Sequence, residues 1–367
     1  MPIQRLVIDQ LRNLQGVDVL PSSQLNFIFG DNGSGKTSLL EAISILAHGR
    51  SFRTSKFRGL IAHDHPHFSL FARLAREGFG EVSLGVQRAL VGEAVFKVNG
   101  ERTYSSASLA SQLPMQIMNA SSFALLEGSS KVRRQLFDWL VFHVKHEFGP
   151  YWRDYSRCVK HRNSLLRRVK ITRSELAPWD RELVRLGNLI HTARVDCLQP
   201  FMETVPKLLE EGDLPKSLNI QLSYEPGWDL EQGFAGQLSA YFERDLRYGY
   251  TTIGAHKSEL KIRAQGTQAH EVLSRGQQKT LIAALYIAEL RVYQSLNSTP
   301  CVLLVDDLPA ELDRHHVEVL GRWINELDMQ VFITGINLGA MLDFWPINTK
   351  QRKVFHVKHG NINEYTA

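Results

Sequence analysis

Two stretches of this sequence carry residue types at spacings suited to phosphate chemistry. Residues 30–37 read Gly-Asp-Asn-Gly-Ser-Gly-Lys-Thr, directly after the strand pattern Asn26–Phe29 and directly before Ser38-Leu39-Leu40-Glu41-Ala42-Ile43. This is the G-x-x-x-x-G-K-T pattern in its strand–loop–helix setting, where glycines let backbone N–H groups turn inward around the α- and β-phosphates of a nucleotide. Gly30, Asp31, Asn32, Gly33, Ser34, Gly35, Lys36 and Thr37 are then the candidate phosphate cradle. Lys36 supplies charge at the β,γ-bridge, and the Thr37 hydroxyl ligates Mg²⁺. The second stretch, LSRGQQK at 273–279, runs into the apolar helix pattern Thr280–Leu285. A Ser and a Gly at such a helix start leave N–H groups where the dipole favours an anion.

Phosphate chemistry also needs a magnesium-linked carboxylate and a group to activate water, both at the end of a buried strand. Cys301–Val305 followed by Asp306-Asp307 supplies them: Asp306 suits the metal and Asp307 the attacking water. The candidate catalytic set is Lys36, Asp306 and Asp307, and the candidate metal set is Thr37 with Asp306. Asp306 stands 270 residues after Lys36, so something long is inserted between the two strands.

The elements that must position these groups follow from periodicity. Ile3–Ile8, Leu25–Phe29, Phe68–Leu74, Val82–Val86 and Val95–Val98 read as strands, with Asn99-Gly100 as a tight hairpin turn. Helical spacing takes over near Lys131. Trp152, Tyr155, Val159, Leu166 and Val169 share one face; Trp179, Leu183, Leu186, Ile190, Ala193 and Cys197 share another after a break expected at Pro178. Two antiparallel helices are the simplest arrangement. Strand patterns return at Cys301–Val305, Val331–Thr334 and Val354–Val357. The expectation is an α/β body with a mixed sheet, interrupted by a short helical arm: residues 1–130, the arm at 131–247, and 248–367.

With 367 residues and 43% hydrophobic content the chain can bury a substantial core. Its apolar runs fall far short of the roughly 18 residues a membrane span needs, so neither signal peptide nor membrane anchor is expected. The three cysteines are scattered through apolar or helical patterns, which argues against a disulfide framework and fits a reducing cytoplasm. The net charge is only +5, but it is clustered. Arg153, Arg157, Lys160, Arg162, Arg167, Arg168, Lys170 and Arg173 face the single acid Asp154 between Tyr151 and Arg173. Such a segment suits DNA phosphates without base preference, and equally suits a solvated face pairing with Glu175 or Asp180. Arg133, Arg134, His256 and Lys257 are open in the same way, between phosphate contacts and structural roles.

In order along the chain stand GDNGSGKT, a helical insertion, LSRGQQK and VLLVDDLPAELD, with 32 residues from Ser274 to Asp306. Together these resemble the ABC-type ATPase heads of chromosome-maintenance and repair proteins. RNL at 12–14, HGRSFRT at 48–54, LLEGSSKVRRQLFDW at 125–139, GAHKSEL at 254–260 and the closing VFHVKHGNI make the chain similar to the RecF family over essentially its whole length. That resemblance implies an ABC-type P-loop head and a weak, DNA-dependent ATPase acting as a switch. It further implies an ATP-dependent homodimer that binds DNA at single-strand gaps and works with RecR, RecO and RecA in replication repair and the SOS response. It assigns Gly30 through Ser38 to the phosphates of ATP, Ser274, Gly276 and Gln277 to the γ-phosphate held by the other subunit, and Glu311-Leu312-Asp313 to communication across the dimer. Family members commonly have Ser where this chain has Ala310, and most ABC ATPases have Glu where Asp307 stands, so slow hydrolysis is expected. No switch His follows the next strand, leaving Thr334 as a weak candidate sensor and Gln116 as a weak candidate metal-sensing residue. The alternative from another class is the soluble nucleotide-binding subunit of an ABC transporter.

Overall fold

The computed structural model describes residues 2–76, 80–168, 170–297, 299–307, 314–343 and 351–366. Val169, Ala310 and Glu311-Leu312-Asp313 lie outside the described residues. The chain forms two compact units, Met1–Ser122 with Asn297–Ala367, and Phe123–Leu296. The second takes in residues 248–296 as well as the expected arm, because the helix opening at LSRGQQK packs on the arm's own helices.

The first unit contains β1 (Ile3–Asp9), β2 (Val17–Val19), β3 (Leu25–Phe29), α1 (Lys36–His48), β4 (His67–Arg76), β5 (Gly80–Ala89), β6 (Val95–Val98), β7 (Glu101–Thr103), α2 (Ser106–Gln112) and β8 (Met115–Met118). Strands β1, β2 and β4–β7 make an antiparallel sheet in the order β2-β1-β4-β5-β6-β7. Its last hairpin turns at Asn99 and Gly100, both at positive φ, the geometry Asn-Gly favours.

Beyond the second unit the chain returns with β12 (Val302–Val305), β13 (Gln330–Gly335), β14 (Arg352–Lys358) and β15 (Asn361–Glu364). These join β3 and β8 in the order β15-β14-β3-β13-β12-β8, parallel except for β15. Helix α1 is buried along nearly its whole length: Leu39, Leu40, Ile43, Leu46 and Ala47 belong to one core with Leu6, Leu70 and Leu84 of the antiparallel sheet and Ile28, Leu304 and Phe332 of the parallel one.

The second unit contains α3 (Ala124–Glu127), α4 (Ser130–Val144), α5 (Phe148–Leu166), α6 (Arg173–Glu211), β9 (Gln221–Glu225), α7 (Gly233–Ala240), α8 (Phe242–Tyr248), β10 (Glu259–Ala264), β11 (Thr267–Gln268), α9 (Ala269–Val272) and α10 (Arg275–Leu296). Contacts between α5 and α6 run in opposite order: Trp152 meets Arg194, and His161 stacks on Trp179 with ring centroids 4.7 Å apart. The pair is therefore antiparallel, as the periodicity suggested. The break expected at Pro178 is absent. Helix α6 starts earlier, at a capping box in which Thr172 and Glu175 satisfy each other's backbone N–H groups, and continues through Pro178, Pro200 and Pro206. A proline removes one intrahelical bond, and the packing against α5 outweighs that loss. Among the described residues no helix is long and apolar enough to cross a membrane.

Candidate functional site

The parallel sheet explains how residues so distant in sequence meet. Strand β13 lies between β3 and β12, with Thr334 paired to Ile28 on one side and Ile333 to Val305 on the other. The loop after β3, the acids after β12 and Thr334 near the end of β13 thus emerge along one carboxyl edge, where open parallel sheets bind ligands.

The loop after β3 is shaped by glycines at positive φ. Gly30 has φ 153, and a Cβ there would sit 2.2 Å from the Val357 carbonyl oxygen; at Gly35, φ 124, it would sit 2.8 Å from Leu14 Cδ2. The loop is also held from behind. Asn13 Nδ2 donates to the carbonyls of Gly33 at 3.2 Å and Ser34 at 2.9 Å, while Ser38 Oγ donates to Asn13 Oδ1 at 3.2 Å. Arg12, at φ 56, clamps the helix below with a bidentate pair to the fully buried Glu41, at 2.6 and 2.9 Å, and Ser51 donates to the same carboxylate. Sequence reading used RNL only as a likeness and missed these positioning roles. The available signal was a Glu in the middle of an otherwise apolar helix, which requires a cation nearby.

Lys36 is 7% exposed, and its Nζ donates to the carbonyls of Gly30 at 2.7 Å and Asp31 at 2.9 Å. Burial pulls its pKa below the ordinary lysine value, against the opposing pull of Asp307, Asp306 and Asp31. Asp306 Oδ1 accepts from Thr37 Oγ1 at 3.0 Å and from Thr334 Oγ1 at 2.9 Å. The backbone N–H of Asp307 donates to the same Thr334 hydroxyl at 2.9 Å. Asp307 sits at φ 52, a conformation non-glycine residues rarely adopt outside functional or turn positions. Burial raises its carboxyl pKa, Lys36 lowers it, and Asp306 raises it further.

Two buried oxygens at this edge, Ser34 Oγ and Asp307 Oδ1, have no protein hydrogen-bond partner. Orphaned groups beside a cradle of loop N–H groups fit a ligand rich in oxygen and bound water. Among the described residues no group of three or more His, Cys, Asp or Glu could hold a metal by itself. One hydroxyl and one carboxylate do suit Mg²⁺, which takes its remaining ligands from water and substrate phosphates. The arrangement can hold a nucleoside triphosphate and orient a water for attack.

LSRGQQK lies in the second unit. Ser274 caps α10 reciprocally with Gln277: the Gln277 N–H donates to Ser274 Oγ at 3.3 Å, and the Ser274 N–H donates to Gln277 Oε1 at 2.9 Å. Ser274 is exposed. The charge of Arg275, left open by the sequence, is matched within its own unit by an ion pair with Glu127.

A family model described as RecF/RecN/SMC N terminal domain matches residues 2–363. The DNA replication and repair protein RecF of Saccharophagus degradans is 48% identical over 362 residues, covering 98% of this chain and 98% of that one. The chain belongs to the RecF family. The protein of the same description from Cellvibrio japonicus is 48% identical over 364 residues, covering 99% of each. A solved structure described as the recombination mediator protein RecF-ATP in the RecFOR pathway superposes with a TM-score of 0.86, covering 100% of this chain and 98% of that one; at 23% identity the likeness is one of fold. Full-length RecF relatives do not favour the transporter alternative.

Within this RecF-family fold the remaining expectations fall as follows. Gln116 lies within β8, opposite Leu303 and two residues before the strand ends. Arg153, Arg157, Lys160, Arg167 and Arg168 are exposed. Arg162 does not belong with them. It is fully buried, pairing with Asp180 at 2.7 Å and Asp245 at 2.6 Å and donating to Thr251 Oγ1 at 3.0 Å, so its charge is spent inside the unit. Arg133 is likewise structural, paired with Glu259 at 2.7 Å, and Arg134 donates to the Ser258 carbonyl. His256 accepts from the Tyr155 hydroxyl at 2.9 Å through Nδ1, because its Nε2 must donate to the Thr251 carbonyl at 3.1 Å.

Proposed function

We propose that this chain is an ATP-switched DNA-binding protein of replication and recombinational repair. The observation that carries the proposal is the convergence of Lys36, Thr37, Asp306 and Asp307 on one sheet edge, in a chain of the RecF family. The loop 30–38 holds the phosphates of ATP, with Lys36 exchanging its two carbonyl partners for phosphate oxygens. Thr37 and Asp306 hold magnesium, which when bound neutralises charge on the phosphates. Asp307 orients and deprotonates the attacking water. An aspartate reaches that water from farther away than a glutamate would, so turnover is slow and serves to reset the switch.

Two chains related by a two-fold axis bury two ATP molecules, each between the loop of one chain and Ser274, Gly276 and Gln277 of the other. The exposure of Ser274 at the α10 N-terminus supports this reading, since the capping pair leaves that end accessible. The ATP dimer, in the cytoplasm, engages duplex DNA at single-strand gaps through the exposed arm residues Arg153, Arg157, Lys160, Arg167 and Arg168, and acts with RecR and RecO in placing RecA. Retention on gapped duplex DNA, measured with and without ATP over a salt series, tests the proposal. ATP-dependent binding with a steep salt slope supports it, and binding indifferent to ATP overturns it.

A further inference from the structure

The basic arm shares its surface with aromatic rings. Helix α8 ends at Tyr248, and Gly249 at φ 70 reverses the chain as a left-handed cap, so that Tyr248 and Tyr250 both point outward. They are 56% and 40% exposed, with ring centroids 5.8 Å apart and planes inclined at 37°. Lys257 Nζ lies 5.3 Å from the centre of the Tyr250 ring, and Arg167 Nε donates to the Gly249 carbonyl at 3.3 Å.

This surface is braced from beneath. Asn163 Oδ1 accepts from the Thr251 N–H at 2.7 Å and from its hydroxyl at 2.8 Å, which ties the chain just after Tyr250 to α5. Asp245, one turn before Tyr248, is fully buried and neutralised by Arg162, so it offers no negative charge at the surface. Two adjacent exposed rings flanked by cations, on a rigid base, combine the two parts of a single-strand site: a π-face for bases and positive charge for the backbone. Bases inside a duplex are already stacked and cannot offer a face to a tyrosine, and duplex phosphates require charge alone.

We propose that Tyr248 and Tyr250 are a stacking platform for unpaired bases, with Arg167 and Lys257 meeting the adjoining phosphates. The site takes a single-stranded nucleic acid segment and gives the arm a means of distinguishing a gap from continuous duplex. It rests on the reading of this chain as an ATP-dependent DNA-binding protein.

The experiment compares the full-length wild type, Tyr248→Ala/Tyr250→Ala and Tyr248→Phe/Tyr250→Phe, all with ATP. Each is titrated with a gapped duplex carrying 2-aminopurine in the gap and with a continuous duplex of equal length, and thermal unfolding confirms that each variant is folded. Stacking onto aromatic rings predicts that the alanine pair weakens gapped binding by roughly 10- to 100-fold and abolishes the 2-aminopurine quench. Continuous-duplex binding stays within about threefold, and the phenylalanine pair behaves as wild type, since the ring and not the hydroxyl does the stacking. Equal losses on both DNAs, no loss on either, or failure of phenylalanine to rescue overturns the platform. If wild type itself shows no ATP-dependent binding to gapped DNA, the proposed function falls and the platform with it. If wild type binds and the alanine pair matches it, only the platform falls.

Discussion

The Thr37 hydroxyl lies 3.0 Å from Asp306 Oδ1, although 269 residues separate the two. The whole second unit is threaded into the chain between them, and the contact is restored by strand order alone: β13 intervenes between β3 and β12 and brings Thr334 to the same oxygen. The hydroxyl and the carboxylate are thus placed by parallel pairing, independently of what is inserted.

Asp307 should separate binding from turnover. Asp307→Asn removes a general base, so ATP affinity stays near wild type while turnover falls by about 10²- to 10⁴-fold. Turnover in Asp307→Asn equal to wild type would show that Asp307 is not the base.

Arg162 is expected to matter for stability and not for DNA. Its loss in Arg162→Ala leaves the buried Asp245 carboxylate unpaired, a change that costs about 3–5 kcal/mol. Denaturant unfolding should record that loss, with partial recovery in Arg162→Met combined with Asp245→Leu. The salt slope for DNA binding of the folded protein should be unchanged in Arg162→Met/Asp245→Leu, whereas Arg168→Ala lowers it by about one. A slope reduced by the buried substitution would return Arg162 to the DNA surface.

His256 makes the second unit sensitive to acid. Burial, only partly offset by its bond to the Thr251 carbonyl, brings its pKa down to about 4 from an ordinary 6.5. Between those values the unfolded chain binds a proton that the folded one refuses. Stability from this group is therefore fully present above pH 6.5 and falls progressively toward pH 4, by up to roughly 3 kcal/mol. Unfolding midpoints for His256→Gln should lose most of that slope; slopes identical to wild type over this range would exclude His256 as its source.

How much of this was legible in advance depended on whether the deciding interaction was local. The loop 30–37, the buried strand before Asp306 and the Asn99-Gly100 turn each carry their geometry in a few consecutive residues, and all three have the expected form. Arg162 could not be sorted from Arg157 or Lys160 by charge pattern, because what buries it is Asp245, 83 residues away. The Asn13 support behind the loop was hidden for the same reason, its partners lying 20 and 21 residues on. Pro178 misled because local chain chemistry was weighed without the antiparallel partner that holds α6 together. Tyr248 and Tyr250 showed no periodic signal, since a left-handed glycine between them sets their direction.

The sharing of each nucleotide between two chains is tested most directly by Ser274→Arg. Sedimentation with a fluorescent ATP analogue should show the variant as a monomer that binds nucleotide as wild type does, while wild type dimerises with ATP and Lys36→Ala loses both binding and dimerisation. A Ser274→Arg protein that still forms the ATP dimer, or that loses nucleotide as a monomer, would contradict a signature that reads the partner's phosphate.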